Sequence, residues 1–221
     1  MAAYSTAIVT GASRGLGRAV VEAFRARGLD VIGIARSDAD VLGDLRRPEQ
    51  IARAFDEARD RLGHVDVLVN NAGVGFYKPF LEHTDDELAA IVELNLTSLM
   101  LCTRAVLPEM LHRGSGLIVN VGSDLSRRFL PRMAPYTASK WGVLGFSGSL
   151  LREVKESGVK VCAVLPGAIA THFGGGTPEV PEDGTLLAAD DVAAAIVGLL
   201  DQPGRAIVDE LIVHPLRQTD Y

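Results

Sequence analysis

Short apolar runs at residues 6–10, 31–35, 65–70, 116–121, 159–165 and 206–213 alternate along this chain with segments whose apolar residues recur at helical spacing. Strands separated by helices pair in parallel, because each crossover helix carries the chain back over the sheet. The pattern predicts an α/β fold: a doubly wound parallel sheet of six to seven strands with helices on both faces. Between the first two runs, Leu16, Val20, Ala23 and Phe24 form a helical stripe that Gly28 is placed to stop, making a βαβ unit. A second helix opens near Pro48 and carries Ile51, Phe55, Ala58 and Leu62 before Gly63. A third opens on Thr84 and Glu87, spaced as a capping box, and is expected to run, with a break near Asn95, to about Arg113. Residues 134–157 and 189–201 supply two more.

One stretch departs from this rhythm. Only SDADVLG separates Arg36 from Asp44, too few residues for another crossover helix. The third-strand edge is therefore expected to be pared down, with Asp44 on a short extended segment. No repeat, low-complexity tract or linker interrupts residues 1–221, which are expected to form one domain.

A formal net charge of −6, with no long block of Lys and Arg, argues against a nucleic-acid partner and favours a small-molecule substrate. The N-terminal MAAYST runs straight into AIV without a charged n-region, and no apolar run is expected to approach ~18 residues, so no membrane association and a cytoplasmic location are expected. Cys102 and Cys162 read as small buried hydrophobes. The five histidines show no metal-ligand spacing, and no metal is expected.

TGASRGLG at residues 10–17 follows a strand and opens a helix. Gly11, Gly15 and Gly17 permit a tight turn and a close backbone approach to a pyrophosphate, while the helix start offers free N–H groups. This is the pattern of a dinucleotide site. At the end of the second strand, where an acid would bind the adenosine ribose, stand Ala35 and then Arg36. With Arg14 in the glycine loop, two guanidiniums can converge on a 2′-phosphate, which points to NADP(H).

Tyr136 and Lys140, in YTASK, share one helix face. An ammonium at ~4 Å in an effective dielectric of ~20 is worth roughly 4 kcal/mol, enough to lower a tyrosine's ordinary value near ~10 by up to about three units. Ser123 ends the segment LIVNVGS, where residues beyond a strand's carboxyl end face the ligand crevice, and Asn95 lies in the preceding helix.

The motifs TGxxxGxG at 10–17, NNAG at 70–73, the Asn of LNLTS at 95, Ser123, YxxxK at 136–140 and PGxxxT at 166–171 stand in the order and spacing of the short-chain dehydrogenase/reductase family, which the chain resembles along nearly all its length. The resemblance implies a Rossmann-type fold and an NADP(H)-dependent oxidoreductase that moves hydride between the nicotinamide and a carbonyl or secondary alcohol. It implies a catalytic tetrad: Asn95 holding a water, Ser123 orienting the substrate oxygen, Tyr136 as acid and base, and Lys140 holding the nicotinamide ribose while depressing the tyrosine. The implied cofactor contacts are Gly11, Ser13, Arg14, Gly15, Leu16 and Gly17 in the loop, Arg36, Asp44 and Leu45 at the adenine end, and Asn71, Ala72 and Gly73 beside the adenosine half. Tyr136, Lys140, Pro166, Gly167, Ile169 and Thr171 are implied at the nicotinamide end. The alternative is a non-catalytic NADP(H)-binding redox sensor or regulatory subunit, for which a proton donor is superfluous.

Substrate contacts are expected from Phe76, Tyr77, residues 124–133 and the lid position at 172–184, where three successive glycines disfavour a stable helix and predict a mobile or open lid. Arg127, Arg128 and Arg132 are expected to be solvated rather than anion-binding. VDELIVHPLRQ is similar to the last strand of NADP-dependent enzymes acting on small 3-hydroxy acids. The resemblance also implies a homodimer or homotetramer.

Overall fold

The computed structural model describes residues 4–218; residues 1–3, part of the N-terminal segment discussed above, and residues 219–221 lie outside the described residues. Among the described residues, seven strands form one parallel sheet: β1 (Thr6–Thr10), β2 (Asp30–Ala35), β3 (Val41–Leu42), β4 (Val67–Asn70), β5 (Gly116–Val121), β6 (Val159–Pro166) and β7 (Glu210–Val213). Their order is β3-β2-β1-β4-β5-β6-β7, so the winding reverses between β1 and β4, opening a crevice beyond the carboxyl ends of those strands. The fold is Rossmann-like.

Alternation along each strand feeds two cores. Ala7, Val9, Val67, Val69, Leu117 and Val119 pack on one face, with α1 (Gly15–Ala26) and, after β6, a helix at Ala189–Gly198. Ile8, Leu68 and Ile118 face the other way, toward α2 (Pro48–Leu62) and the helices that follow β4. Burial on both faces is what lets these strands be apolar at nearly every position.

After β4 the chain enters α3 (Asp85–Val92), capped as expected by the reciprocal Thr84 and Glu87 bonds of 3.2 and 2.9 Å. A π turn at Glu93–Thr97 then leads into α4 (Ser98–Arg113), which is the break expected near Asn95. Residues 85–113 hold a window of mean hydropathy 1.5, long and apolar enough to cross a membrane, which corrects the expectation that no such run exists: the polar residues spread through it hid it from a reading of apolar runs. Cys102, Val106 and Met110 of α4 pack in the second core against the sheet. Next come α5 (Ala134–Val154) and α6, the helix at Ala189–Gly198. Single turns at Lys155–Ser157 and Leu199–Asp201 fill the rest of the predicted spans.

The pared-down edge is present. Only residues 36–40 separate β2 from β3, yet Ile34 pairs with Val41 and Ala35 with Leu42 in parallel. A two-residue strand requires the chain to double back by only ~7 Å, which a loop can span. Asp40 anchors that loop: its carboxylate accepts the Gly33 N–H at 2.7 Å and the Arg25 guanidinium at 2.8 and 2.9 Å. At the other edge, β7 is shorter than the predicted 206–213, because a turn in which Ala206 N–H bonds the Pro203 carbonyl occupies the start of that run.

Candidate active site

The glycine loop lies over the end of β4. Gly11 sits at φ +68° and Gly15 at φ +55°, and a Cβ on Gly17 would stand 2.2 Å from the Gly11 oxygen. Asn71 holds the loop from beneath, its Nδ2 donating to the Thr10 and Gly11 carbonyls at 3.0 and 3.2 Å. The Thr10 hydroxyl in turn accepts the N–H groups of Asn71 and Ala72, at 3.0 and 3.2 Å. The NNAG segment thus buttresses the loop, a part for Thr10 that the reading of the glycines passed over. Arg14, at the N-cap of α1, makes no side-chain cap, so the first-turn N–H groups are left for a phosphate. Ser13 is half-buried and Leu16 is buried in the core. Arg14 and Arg36 are exposed. A cradle too tight for side chains, facing an uncapped helix start, fits a dinucleotide.

At the adenine end, Asp44 follows β3 as expected. The Arg46 side chain, beside it, grips its carboxylate at 2.8 and 3.2 Å and outweighs partial burial to hold it below the ordinary carboxylate range. The Leu45 side chain is buried among core residues, which leaves its backbone for any ligand contact. On the far side Pro166 closes β6, and the Gly167 N–H bonds the Val213 carbonyl at 2.8 Å. Ile169 bridges to Leu187, and Thr171 lies over Gly15, whose Cβ would come within 3.3 Å of its methyl.

The four candidate catalytic residues converge beyond β5. Asn95 is 1% exposed, and the π turn aims its amide at the chain after NNAG: Oδ1 accepts the Val74 N–H at 2.8 Å, and Nδ2 donates to the Val74 carbonyl and to Ser139 Oγ at 2.9 and 3.0 Å. Both amide protons are therefore committed. Ser139 donates to the Tyr136 carbonyl at 2.7 Å, so this unanticipated serine joins Asn95 to α5. Ser123 lies at the N-cap of a tight turn, Asp124–Ser126, and the Ser126 hydroxyl bonds the Lys140 carbonyl at 2.8 Å. That bond bolts the turn to α5.

Lys140 and Tyr136 are both buried, and here the structure corrects an expectation. Lys140 Nζ donates to the Val121 carbonyl at 2.9 Å and stands 5.6 Å from the centre of the Tyr136 ring. Burial lowers the Lys140 ammonium to about 8. The Tyr136 hydroxyl is not depressed but raised, first by burial and then by Tyr77 and Asp124, with Ser123 pulling the other way. Tyr77 packs edge-on against Tyr136 at 5.7 Å, and Phe173 covers it at 5.7 Å. Phe173 belongs to the lid position, which forms one 3-10 turn at Phe173–Gly175 and then runs without a helix. The lid is thus not open at its start: the Phe173 ring packs against that of Tyr136.

Of the loop arginines, Arg127 pairs with Glu210 and Arg128 with Asp124, while Arg132 is exposed at φ +67°. Phe76 is half-buried in the segment after NNAG, beside Tyr77.

A sequence model described as short chain dehydrogenase matches residues 5–179. The chain belongs to that family. As a short chain dehydrogenase it is an oxidoreductase, and it is similar to the 3-oxoacyl-(acyl-carrier-protein) reductase FabG of Salmonella typhimurium, 35% identical over 93% of each chain. Its likeness to the enzyme of the same name from Vibrio cholerae is 40% over 76% of this chain and 74% of the relative. Among solved structures, an alcohol dehydrogenase from the archaeon Thermococcus sibiricus, complexed with 5-hydroxy-NADP, superposes with a TM-score of 0.91 at 29% identity, over 98% of this chain and 99% of that one. A variant of actinorhodin polyketide ketoreductase with NADPH gives 0.87 at 29% identity, over 96% of both chains.

Proposed function

We propose that this short chain dehydrogenase is an NADP(H)-dependent carbonyl reductase or alcohol dehydrogenase, in which Asn95, Ser123, Tyr136 and Lys140 handle the proton that accompanies hydride transfer. The observation that carries this reading is the meeting of Ser123, Tyr136 and Lys140 beyond β5, beside a glycine loop that fits a dinucleotide. The cofactor, when bound, supplies or takes the hydride. In reduction Ser123 holds the substrate oxygen, Tyr136 gives it a proton, and the Lys140 ammonium steadies the phenolate that remains. Asn95, with both amide protons committed, keeps a carbonyl oxygen lone pair and its backbone for a water that returns the proton.

NADP(H) is supported by the exposed Arg14 and Arg36 and by the NADP and NADPH bound in similar structures. Pro166, Gly167, Ile169 and Thr171 border the nicotinamide end, and Ser13, Ala72 and Gly73 the phosphate and adenosine end. The reductases among the relatives make a carbonyl beside an acyl group a first substrate to try. We also propose a homodimer or homotetramer, supported by an open apolar hollow of about 250 Å³ between α4 and α5, lined by Met100, Leu107, Leu111 and Phe146.

Turnover of a panel of ketones, aldehydes and 3-oxo acids, followed by NADPH oxidation, tests the assignment. Tyr136→Phe is expected to cut turnover by about 10³-fold while NADPH affinity is kept; near-wild-type activity would refute the role of Tyr136. NADPH is expected to bind more tightly than NADH, and equal affinity would remove the roles of Arg14 and Arg36.

A further inference from the structure

We propose that the Arg18–Asp38 ion pair is a determinant of cofactor choice: Arg18 on α1 draws Asp38 back against that helix and so keeps this acid away from the 2′-phosphate of NADP(H). The inference rests on the cofactor reading above. Loop 36–40 follows β2, the place where a carboxylate accepts the adenosine ribose hydroxyls of NAD and repels the extra phosphate of NADP. Two acids, Asp38 and Asp40, stand in that loop beside Arg36, and a third, Asp44, follows β3.

Each of the three has an arginine of its own. Arg18 takes Asp38, Arg25 takes Asp40 through both carboxylate oxygens, and Arg46 takes Asp44. Arg18 and Arg25 stand two turns apart on α1, so they share the helix face that meets the loop. Arg14 and Arg36 form no ion pair among the described residues, and Arg36 acts on Asp44 only across space. The pairing thus neutralises the acids of this end and leaves uncompensated the two cations assigned to the phosphate.

The two loop acids are not held alike. Asp40 also accepts the Gly33 N–H at 2.7 Å, and Arg61 bonds its carbonyl at 2.9 Å, so Asp40 is built into the base of the loop. Asp38 is held by Arg18 alone, with its side chain 72% exposed and its backbone at φ +51°, a conformation that Asp tolerates better than most residues. Between α1 and the loop lies an open polar hollow of about 270 Å³, bordered by Asp38, by Gly33 and by Ala12 of the glycine loop. An Asp38 released from Arg18 therefore shares one open space with the glycine loop. Glu22, the remaining acid on the rim, is carried by α1 and stays with that helix.

The test measures the affinity of the full chain for NADPH and for NADH, by the fluorescence of the reduced nicotinamide. Arg18→Ala, which frees the Asp38 charge, is expected to lower the ratio of NADPH to NADH affinity about fivefold at low salt, and by less above ~0.5 M salt. Adding Asp38→Asn to Arg18→Ala is expected to restore the wild-type ratio. Arg27→Ala, which takes the same charge from the end of α1 and frees Asp201 instead, is expected to leave the ratio unchanged. An unchanged ratio in Arg18→Ala, an equal fall in Arg27→Ala, or a double variant as low as Arg18→Ala each overturns the proposal and leaves the cofactor reading standing. If the wild type binds NADH as tightly as NADPH, the roles of Arg14 and Arg36 and this inference fall together.

Discussion

Lys140 shows how the site sets stability against chemistry. Its ammonium is lowered to about 8 by burial, while the unfolded chain keeps that proton up to about 10.4. Between those values the unfolded state binds more protons at this group, so its contribution to stability rises with pH across the window. Over the same window the buried Cys102, Cys162, Tyr77 and Tyr136, all raised, pull stability down with pH, so the Lys140 contribution is read as a difference: the melting temperature of Lys140→Met is expected to fall more steeply than that of the wild type between about pH 8 and 10.5, and parallel curves would remove the role of Lys140. That Tyr136 and Lys140 share a helix face and that Ser123 ends a strand was legible in the sequence from their spacing; that Asn95 joins them through Ser139 was not. Nor was the protonation state of the tyrosine. It depends on burial and on Tyr77 and Asp124, and Tyr77, which packs against Tyr136, stands 59 residues before it in the chain. Spacing along one helix predicted a lysine that depresses the tyrosine, and tertiary burial reversed the sign.

Elements are held to one another by polar groups as well as by the two cores. Asn70 Nδ2 on β4 donates to Asn120 Oδ1 on β5 at 2.9 Å and to Thr103 on α4 at 3.0 Å, and Asn120 Nδ2 donates to Ser147 on α5 at 2.9 Å. This fully buried ladder fixes α4 and α5 against the central strands. Asn120→Ala leaves Asn70 and Ser147 without their partner, and a loss of about 2 kcal/mol is expected in urea unfolding. A change within ~0.5 kcal/mol would mean that the ladder relaxes around the gap. The strands and helices themselves could be read from apolar periodicity and from caps such as Thr84 with Glu87. What periodicity missed was set by local turns: the bend at Pro203 that shortened β7, and the loop held by Asp40 that let two residues act as a third strand.

Across the whole molecule, Asp66 ties distant parts together. Its carboxylate accepts the Ser5 N–H at 2.8 Å, the Ser5 hydroxyl at 3.0 Å and the Thr6 N–H at 3.3 Å, and it meets Arg113 of α4 at 3.3 Å. Burial pushes this acid up, but the Ser5 bonds, His64 and Thr6 prevail and hold it below its ordinary value. A depressed acid contributes stability that is present above ~3.9 and lost as pH falls through its folded value. Asp66→Asn should therefore lower stability at neutral pH and flatten the acid limb of unfolding; an unchanged limb would assign it to other carboxylates. The π turn at Glu93–Thr97 has a different kind of consequence, one for the gene. A wide turn carries one residue more than the helix on either side needs, so losing a single codon there would mend the helix and leave α4 close to its present facing. The repaired rod would be more regular in itself and would keep Cys102, Val106 and Met110 on the sheet, but it would lose the bulge that aims the Asn95 amide at Val74 and Ser139. Mutations that lengthen or shorten the coding sequence should thus be tolerated in the exposed loop 36–40 far more readily than in these five residues.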